Sequence, residues 1–378
     1  MDFRDSPAEA EFRAQLREWL QRNAPGAGRG WSRALYDAGY AGLTWPREYG
    51  GGGLTPNFEA IYHEEAAAAN VPTPINFIGL NIAGPTIIAW GTDEQKRRFL
   101  PPLLSGEQVW CQGFSEPEAG SDLAGARTRA VRDGDHWVVN GQKVWSSLAH
   151  VADWCVLLAR TDPDVAKHAG LSYLLVDMRS PGVEVRPLRQ LTGESEFNEI
   201  FFTDVRVPAD LMLGQPGDGW KVAMTTLQHE RGTAALPLAA DLQAKLHHLL
   251  VLSSQARPDG SVPSADPLVR QAIAREWVTT QALRFTNYRS LTALLHDGAP
   301  GPEAMITRLA WSQANQRLTR LALDVQGAYA AIDGDDADWH GYWQHEQLRS
   351  RGNTIEGGTA EIQRNVIAER VLNLPRGR

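Results

Sequence analysis

The periodicity of the apolar residues changes twice along the 378 residues, and this change limits the fold more than any other feature. Residues 1–112 and 218–378 carry apolar side chains at helical spacing, whereas residues 113–217 show the period of two that is typical of strands. A chain of this length is long enough for several domains. The sequence therefore predicts an α+β multidomain protein with an N-terminal helical domain, a middle antiparallel β domain and a C-terminal helical bundle, divided at those positions.

Local signals place turns and breaks inside these domains. The dipeptides Asp133-Gly134 and Asn140-Gly141 are favoured in type I′ hairpin turns, so both are expected to lie at turns. A long helical pattern runs over residues 219–248, and Pro237 inside it is expected to kink or split the helix. Asp266-Pro267 has the pattern of a helix start, with the aspartate as N-cap and the proline in the first turn.

Charge and cysteine content exclude several classes of protein. The chain has 37 Lys and Arg against 45 Asp and Glu, a net charge of −8, which argues against non-specific binding to nucleic acid or to an anionic membrane. No apolar run approaches the ~20 residues of a membrane span, and the first residues lack the pattern of a signal peptide. Cys111 and Cys155 cannot form a disulfide framework, and no cluster has metal-ligand spacing. These observations predict a cytoplasmic protein without a metal centre.

Residues 113–125 read G-F-S-E-P-E-A-G-S-D-L-A-G and combine small, hydroxyl and acidic side chains. Gly120 has no Cβ, so a bulky partner can approach its backbone closely. The hydroxyls of Ser115 and Ser121 can donate hydrogen bonds to a ligand. The alternative interpretation is a polar surface loop with a turn at Pro117. The composition of this segment alone favours the surface loop.

Two later segments change that balance. Residues 143–147 read K-V-W-S-S and residues 355–359 read I-E-G-G-T. Together with residues 113–125, in this order and at these intervals, they resemble the acyl-CoA dehydrogenase family, and the resemblance runs essentially from end to end. It implies FAD held between the β domain and the C-terminal helices. It also implies dehydrogenation of an acyl-CoA thioester to the 2,3-enoyl-CoA, with hydride passing to flavin N5 and electrons to an electron-transfer flavoprotein.

The resemblance assigns cofactor roles to individual residues. Phe114 and Ser115 would lie along the isoalloxazine edge, and Trp145 would pack against the ring. The hydroxyl of Ser147 would reach N5 of the flavin. Taken alone, Trp145 would be interpreted as a core aromatic at a strand end. The predicted cofactor-binding residues are Phe114, Ser115, Gly120, Ser121, Trp145, Ser147, Gln326, Gly358 and Thr359.

Two glutamates are candidates for the base that removes the α-proton of the thioester. Glu230 occupies the position on the first helix after the β domain where some relatives carry their base, and we predict that it is the base here. Glu356 is the second candidate. Two glycines separate it from Thr359 where the family pattern usually has one, so the family's base position falls on Gly357. The plainer interpretations are a solvated helix acid paired with an arginine for Glu230, and for Glu356 a loop acid that contacts the cofactor or caps the next helix.

The resemblance also implies three residues that bind the acyl-CoA. Ser121 would face the pantetheine arm or the cofactor phosphates, and Gln228 would hydrogen-bond the pantetheine chain. Arg231 would stabilise the site through its positive charge.

The sequence departs from the family pattern at two places. Only Arg257 is available where many relatives have an arginine that reaches the FAD pyrophosphate of a neighbouring subunit. Residues 326–330 read Q-G-A-Y-A and lack the usual glycine pair. These departures resemble the branch that acts on steroid side chains and other bulky acyl-CoAs, in which some enzymes are hetero-oligomers.

Several alternatives stay open at this point. We expect a homo- or hetero-oligomer, a dimer or a tetramer. The chain could instead be an FAD-binding partner subunit without turnover, or an oxidase or monooxygenase on the same fold. A plain helical binding protein would leave residues 113–125 and 145–147 unexplained. The acyl group cannot be deduced, because the depth of a pocket is a tertiary property.

Overall fold

The computed structural model describes residues 4–23, 28–231, 236–257, 259–298, 301, 303–332 and 334–375. The chain divides into two compact units. One unit consists of Met1–Asn23, Glu59–Val71 and Arg231–Arg378, and the other consists of Ala24–Phe58 and Pro72–Glu230. We refer to them as the helical unit and the sheet unit.

Helices and strands follow one another in the predicted order. The α-helices are α1 (Pro7–Asn23), α2 (Arg29–Asp37), α3 (Pro56–Ala68), α4 (Gly84–Trp90), α5 (Asp93–Leu104), α6 (Gly219–Arg231), α7 (Leu236–Ser254), α8 (Pro267–Asp297), α9 (Glu303–Gln326), α10 (Tyr342–Arg349) and α11 (Ala360–Val366). The strands are β1 (Trp110–Gly113), β2 (Arg129–Asp133), β3 (His136–Ser147), β4 (Trp154–Arg160), β5 (Leu171–Asp177), β6 (Val183–Leu188), β7 (Phe197–Pro208) and β8 (Met212–Leu213).

The strands that the structure describes in the sheet unit form one sheet of eight strands in the order β6-β7-β3-β2-β4-β5-β8, with β1 paired to β4. The predicted antiparallel pairing holds along most of the sheet. It is wrong at two places, because β1 and β2 both run parallel to β4. Strands β4 and β5 are buried at six consecutive positions each, so the apolar core of this unit lies along them.

One of the two predicted hairpin turns is present. Gly134, at φ 58°, and Asp135 connect β2 to β3, and Asp133 is the last residue of β2 before this turn. The prediction of a turn at Asn140-Gly141 is wrong, because both residues lie inside β3 at a break in its register with β7. The Asn140 side chain instead exchanges two hydrogen bonds of 2.9 Å with Asp204 across that break. The local sequence favoured a turn, but the cross-strand partner turned the same dipeptide into a bulge.

Helix α5 is fixed to the sheet by one glutamine. Thr92 and Gln95 form a capping box, in which the Thr92 hydroxyl accepts from the Gln95 backbone N–H and the Gln95 side-chain oxygen accepts from the Thr92 N–H. The Gln95 amide nitrogen then donates to the backbone oxygens of Asp210 and Met212, at 2.6 and 3.0 Å. A single side chain therefore both begins the helix and holds it beside β8.

The helical unit packs α7, α8, α9 and α10 around one apolar core. Its buried side chains include Leu242, Leu246, Leu249, Leu283, Trp311, Leu318, Val325 and Trp343. The predicted start of α8 is confirmed, because the Asp266 carboxylate accepts from the Leu268 N–H at 2.7 Å. α6 ends at Arg231, and Pro237 lies in the first turn of α7, which begins at Leu236. Residues 232–235 lie outside the described part of the chain, so the predicted break near Pro237 stays a prediction. Among the described helices, none has the length and apolar character that a bilayer span requires.

The bulge in β3 gives a test of the fold. Gly141 has φ 151°, and a Cβ built there would lie 2.7 Å from the Thr128 Cα. We expect Gly141→Ala to lower the free energy of unfolding by about 1–3 kcal/mol, since both the backbone and Thr128 resist the change. Gly134→Asn is the control, because its position is left-handed but open, and asparagine tolerates that conformation. Equal stabilities of the two variants in urea unfolding would contradict this account of the bulge.

Candidate active site

The segment after β1 folds back on itself in a tight turn. Glu116 and Ala119 exchange backbone hydrogen bonds of 3.1 Å, so Pro117 lies at the corner between them. Phe114 is buried and meets the Tyr173 ring edge to face. Gly120 and Ser121 are exposed, and a Cβ on Gly120 would meet no protein atom within 4 Å. The predicted turn at Pro117 is therefore confirmed. After it, the backbone at Gly120 has no protein atoms close to it, so a ligand can approach there.

A buried lysine joins this segment to strand β3. The Lys143 side chain has no solvent-exposed surface, and its Nζ donates to the Phe114 backbone oxygen at 2.9 Å and to Glu116 Oε1 at 2.8 Å. The Val144 N–H donates to the Ser115 backbone oxygen at 2.9 Å. These bonds place residues 114–116 directly beside residues 143–145. The predicted cofactor residues Phe114, Ser115 and Trp145 thus come together in the structure.

The Glu116 carboxylate is the second half of this junction. Besides Lys143, it accepts hydrogen bonds from the backbone N–H groups of Arg127 and Thr128, at 2.7 and 2.8 Å. Burial acts to raise the pKa of Glu116, but the Lys143 charge and the two N–H groups outweigh it, so that its pKa lies below the ordinary value. Sequence analysis missed the role of both residues. The only signal was a lysine two positions before the tryptophan.

Trp145 has an unusual backbone and an unusual exposure. It lies in the left-handed region, with φ 61°, at a register break between β3 and β7. Its side chain is 60% exposed and meets the Phe197 ring edge to face at 6.1 Å. A left-handed conformation costs a bulky residue about 1–3 kcal/mol. The interpretation of Trp145 as a core aromatic is therefore wrong: the strand presents a large flat side chain to solvent beside Ser147.

Helix α6 carries the residues predicted to act on the substrate. Two threonines fix its middle within the sheet unit: Thr225 accepts from the Trp90 indole N–H at 2.9 Å, and the Thr226 hydroxyl lies 3.0 Å from that of Thr86. Gln228 is exposed. Position 230 follows Thr226 by one helical turn, but the side chains of Glu230 and Arg231 lie outside the part that the structure describes.

The second candidate base, Glu356, lies in the helical unit and is held on both carboxylate oxygens. Asn353 donates to Oε1 at 2.7 Å, and Arg349 contacts Oε2 at 3.0 Å. The two following glycines, Gly357 and Gly358, have φ 63° and 96°. Thr359 caps α11 by accepting from the Ile362 N–H at 3.2 Å. Thr359, and not Glu356, is therefore the helix cap.

Gln326 has an unsatisfied side chain at the end of α9. It is buried, and neither its amide oxygen nor its amide nitrogen has a partner among the described residues. Arg257, the predicted substitute for an intersubunit arginine, donates through Nε to the Val325 backbone oxygen at 2.9 Å. Arg257 thus stabilises the end of its own chain's helix. A buried amide without partners is costly, so Gln326 is a candidate for contact with a ligand.

Among the described residues, no group of three or more His, Cys, Asp or Glu side chains could hold a metal ion.

Comparison with known families supports the resemblance. Three family models match successive parts of the chain: the acyl-CoA dehydrogenase N-terminal domain at residues 5–107, the middle domain at 111–205 and the C-terminal domain at 217–372. Their order confirms the predicted succession of a helical, a β-sheet and a helical domain. The predicted boundaries at residues 112 and 217 stay predictions.

Individual relatives cover nearly the whole chain. Acyl-CoA dehydrogenase IpdE1 of Mycobacterium tuberculosis is 43% identical over 387 residues, which cover 97% of this chain and 98% of the relative. The solved structure of the ChsE4-ChsE5 complex from the same organism has a TM-score of 0.89 at 31% identity, with 100% of both chains covered. A structure described as the Tcur3481-Tcur3483 steroid ACAD has the same TM-score, identity and coverage.

The buried ion pair gives a stability test. We expect Lys143→Met to lower the free energy of unfolding by about 3–5 kcal/mol, because it leaves the buried Glu116 carboxylate without its counter-charge. Adding Glu116→Gln to this variant should recover part of the loss. Lys167→Met is the control: its pair with Asp122 is half exposed and is worth at most about 1 kcal/mol. Similar losses for the two lysine variants in urea unfolding would contradict the account.

The same pair gives a pH dependence. Because the pKa of Glu116 is lowered by folding, its contribution is complete above the unfolded-state value of about 4.3 and is lost as the pH falls through the folded-state pKa. The stability difference between the wild type and Glu116→Gln should therefore shrink on acidification below about pH 4. If the difference in the free energy of unfolding stayed constant between neutral pH and acid, the charge of the Glu116 carboxylate would contribute nothing to stability.

Proposed function

The chain belongs to the acyl-CoA dehydrogenase family, and from this membership we propose that it dehydrogenates an acyl-CoA thioester to the 2,3-enoyl-CoA, with FAD as cofactor and an electron-transfer flavoprotein as acceptor. The observation that supports this most strongly is the exposed Trp145 in its left-handed conformation, fixed beside residues 114–116 by Lys143. Strained residues of this kind are characteristic of ligand sites.

The residues present are suited to a flavin. Trp145 offers a flat apolar surface, and Ser147, two residues later, carries a hydroxyl that can hydrogen-bond. Ser115 adds a second hydroxyl, because its backbone oxygen accepts from the N–H of Val144, the residue before Trp145. The open space at Gly120 and the unsatisfied amide of Gln326 are suited to the rest of the cofactor, as are Gly358 and Thr359 by family resemblance. When bound, FAD supplies the acceptor for the hydride that leaves the β-carbon.

Within this proposal, Glu230 receives the α-proton on its carboxylate. Its position lies one turn after Thr226 on a helix that is fixed to the sheet unit. A carboxylate in a dry pocket is well suited to such a transfer. Glu356 is less suited, because both of its oxygens already accept hydrogen bonds from neighbouring side chains. Ser121, Gln228 and Arg231 are proposed to bind the coenzyme A part of the substrate.

A bulky acyl group, such as one carried on a steroid, is the substrate class that we propose. The support comes from the similarity to the steroid ACAD structure and from the changed residues 326–330. We also propose that the chain forms an oligomer with itself or with a second protein. The support is the similar ChsE4-ChsE5 structure, which is a complex of two different proteins. A second candidate function is therefore a subunit that binds FAD for a different, active partner. The cytoplasmic location stays a prediction.

Replacement of the proposed base separates these functions. We expect Glu230→Gln to slow flavin bleaching by an acyl-CoA under anaerobic conditions by about 10²–10⁴-fold, because the amide cannot accept the α-proton. Reduction by dithionite should be unchanged and controls for loss of cofactor. Bleaching at the wild-type rate would exclude Glu230 as the base. A yellow wild type that no acyl-CoA bleaches would favour the partner-subunit function.

Replacement of Trp145 tests the flavin site itself. We expect Trp145→Gly to weaken FAD binding about tenfold, since the ring contact is lost. The same change should leave the free energy of unfolding equal to or above that of the wild type, because glycine relieves the left-handed backbone. Trp277→Ala, at another exposed tryptophan, is the control and should keep FAD affinity. Unchanged affinity in Trp145→Gly would place the flavin elsewhere.

A further inference from the structure

The surroundings of Glu356 show an arrangement that the proposed reaction does not explain. Its carboxylate is contacted by Arg349 and Asn353, and its backbone oxygen accepts from Arg308 Nη2 at 2.6 Å. The residue is thus held through both its side chain and its main chain. A group that only has to collect a proton needs free access to the substrate and gains nothing from such fixation.

The contact with Asn353 is the last of a line of buried hydrogen bonds. Lys245 Nζ donates to Asn315 Oδ1 at 3.4 Å, Asn315 Nδ2 donates to Asn353 Oδ1 at 2.8 Å, and Asn353 Nδ2 donates to Glu356 Oε1 at 2.7 Å. Lys245 and both asparagines are buried. We call these four residues the amide chain.

The chemistry of the two ends determines the direction of the amide chain. An ammonium group can only donate, so the Asn315 oxygen must face Lys245. An ionised carboxylate can only accept, so the Asn353 nitrogen must face Glu356. Both amides therefore have one orientation, with every donor directed towards Glu356. Reversing either amide would place two donors or two acceptors against each other.

The start of the amide chain is itself fixed. Lys245 has three N–H groups, and the other two contact Asp241 at 2.9 Å and Glu346 at 2.7 Å. All three donors are used, so the ammonium cannot rotate without breaking an ion pair. The amide chain thus connects α7, through α9, to the loop that contains Glu356, and it restricts the position of that loop.

That loop leads into Gly358 and Thr359, which are both predicted to bind the cofactor. Gly357 and Gly358 both lie in the left-handed region, and the Gly357 oxygen accepts from Gln363 Nε2 at 3.1 Å. A turn of two glycines has little stiffness of its own, because glycine has the largest backbone freedom. Its conformation therefore depends on anchors on either side: Glu356 before it and the Thr359 cap after it.

We propose that Glu356 is a positioning residue, whose carboxylate receives the amide chain and fixes the turn at Gly357-Gly358 for cofactor binding. The inference rests on the proposed function, in which Glu230 is the base. Protonation of Glu356 during turnover would remove the negative charge that faces Arg349 and would weaken this anchor. The same residue is therefore poorly placed to serve as a base in each cycle.

Isosteric substitutions test the amide chain. Asn315→Asp keeps the shape and still accepts from Lys245, but it can no longer donate to Asn353. The Asn353 amide must then reverse and direct its oxygen at Glu356. Asn353→Leu interrupts the same line at a later point. Glu356→Gln removes the charge and leaves one acceptor oxygen for the two donors, Asn353 and Arg349, so one of these two contacts is lost. Asn287→Asp is the matched control, because this buried asparagine of the same unit uses its oxygen to accept from Thr307, which aspartate also does.

Two measurements decide the proposal. Hydrogen exchange of the backbone amides at residues 355–359 should be about tenfold faster or more in each amide-chain variant and unchanged in the control. FAD affinity of the apoprotein should fall about tenfold or more in the same variants, while flavin bleaching at saturating FAD stays within about tenfold of the wild type. If both changes occur in the amide-chain variants and not in Asn287→Asp, the amide chain does more than stabilise the whole fold, because the control also replaces a buried asparagine of the same unit by aspartate.

The contrary results are distinct from a failure of the proposed function. Wild-type exchange and wild-type FAD affinity in Asn315→Asp would overturn the proposal. The proposal would also be overturned if the Glu356→Gln variant bound FAD normally but its flavin were bleached about 10³-fold more slowly, because Glu356 would then be the base. If the wild type binds no FAD, the proposed function fails, but the exchange measurement still decides whether Glu356 anchors the turn.

Discussion

The candidate site depends on one buried contact, between the ammonium of Lys143 and the carboxylate of Glu116. Neither charge could remain so deep in the sheet unit without the other, and the two groups also bond the backbone of residues 114, 127 and 128. As a result, the loop after β1 and the bulged part of β3 are held as one surface. Trp145 can then keep a strained, exposed conformation, because the strand around it cannot relax.

The structure describes the surroundings of Glu356, whereas the side chain of Glu230 lies outside the described residues. Glu356 is enclosed by donors that arrive from α9, α10 and the loop itself, which suits an anchor. Position 230 lies near the end of a helix whose preceding turn is fixed by Thr225 and Thr226. A rigid helix below position 230 fits the proposed role of Glu230 as the base, since an error of about 1 Å in the position of a catalytic group already costs rate.

Sequence reasoning reached the order of domains and the helix start at Asp266, because apolar periodicity and local capping geometry determine them. It failed at Asn140-Gly141, where a partner on a distant strand, Asp204, decides the conformation. The burial of Lys143 could not be foreseen either. Lysine is ordinarily exposed, and only the fold brings Glu116 within reach. The amide chain has no sequence signature, since two bonded neighbours in it, Lys245 and Asn315, are separated by 70 residues.

A structure of the chain in complex with FAD would test the central claim most directly. The account predicts the isoalloxazine ring against the Trp145 side chain, with the Ser115 and Ser147 hydroxyls within hydrogen-bonding distance and the Lys143–Glu116 contact unchanged. A flavin bound away from β3, with Trp145 still facing solvent, would contradict it.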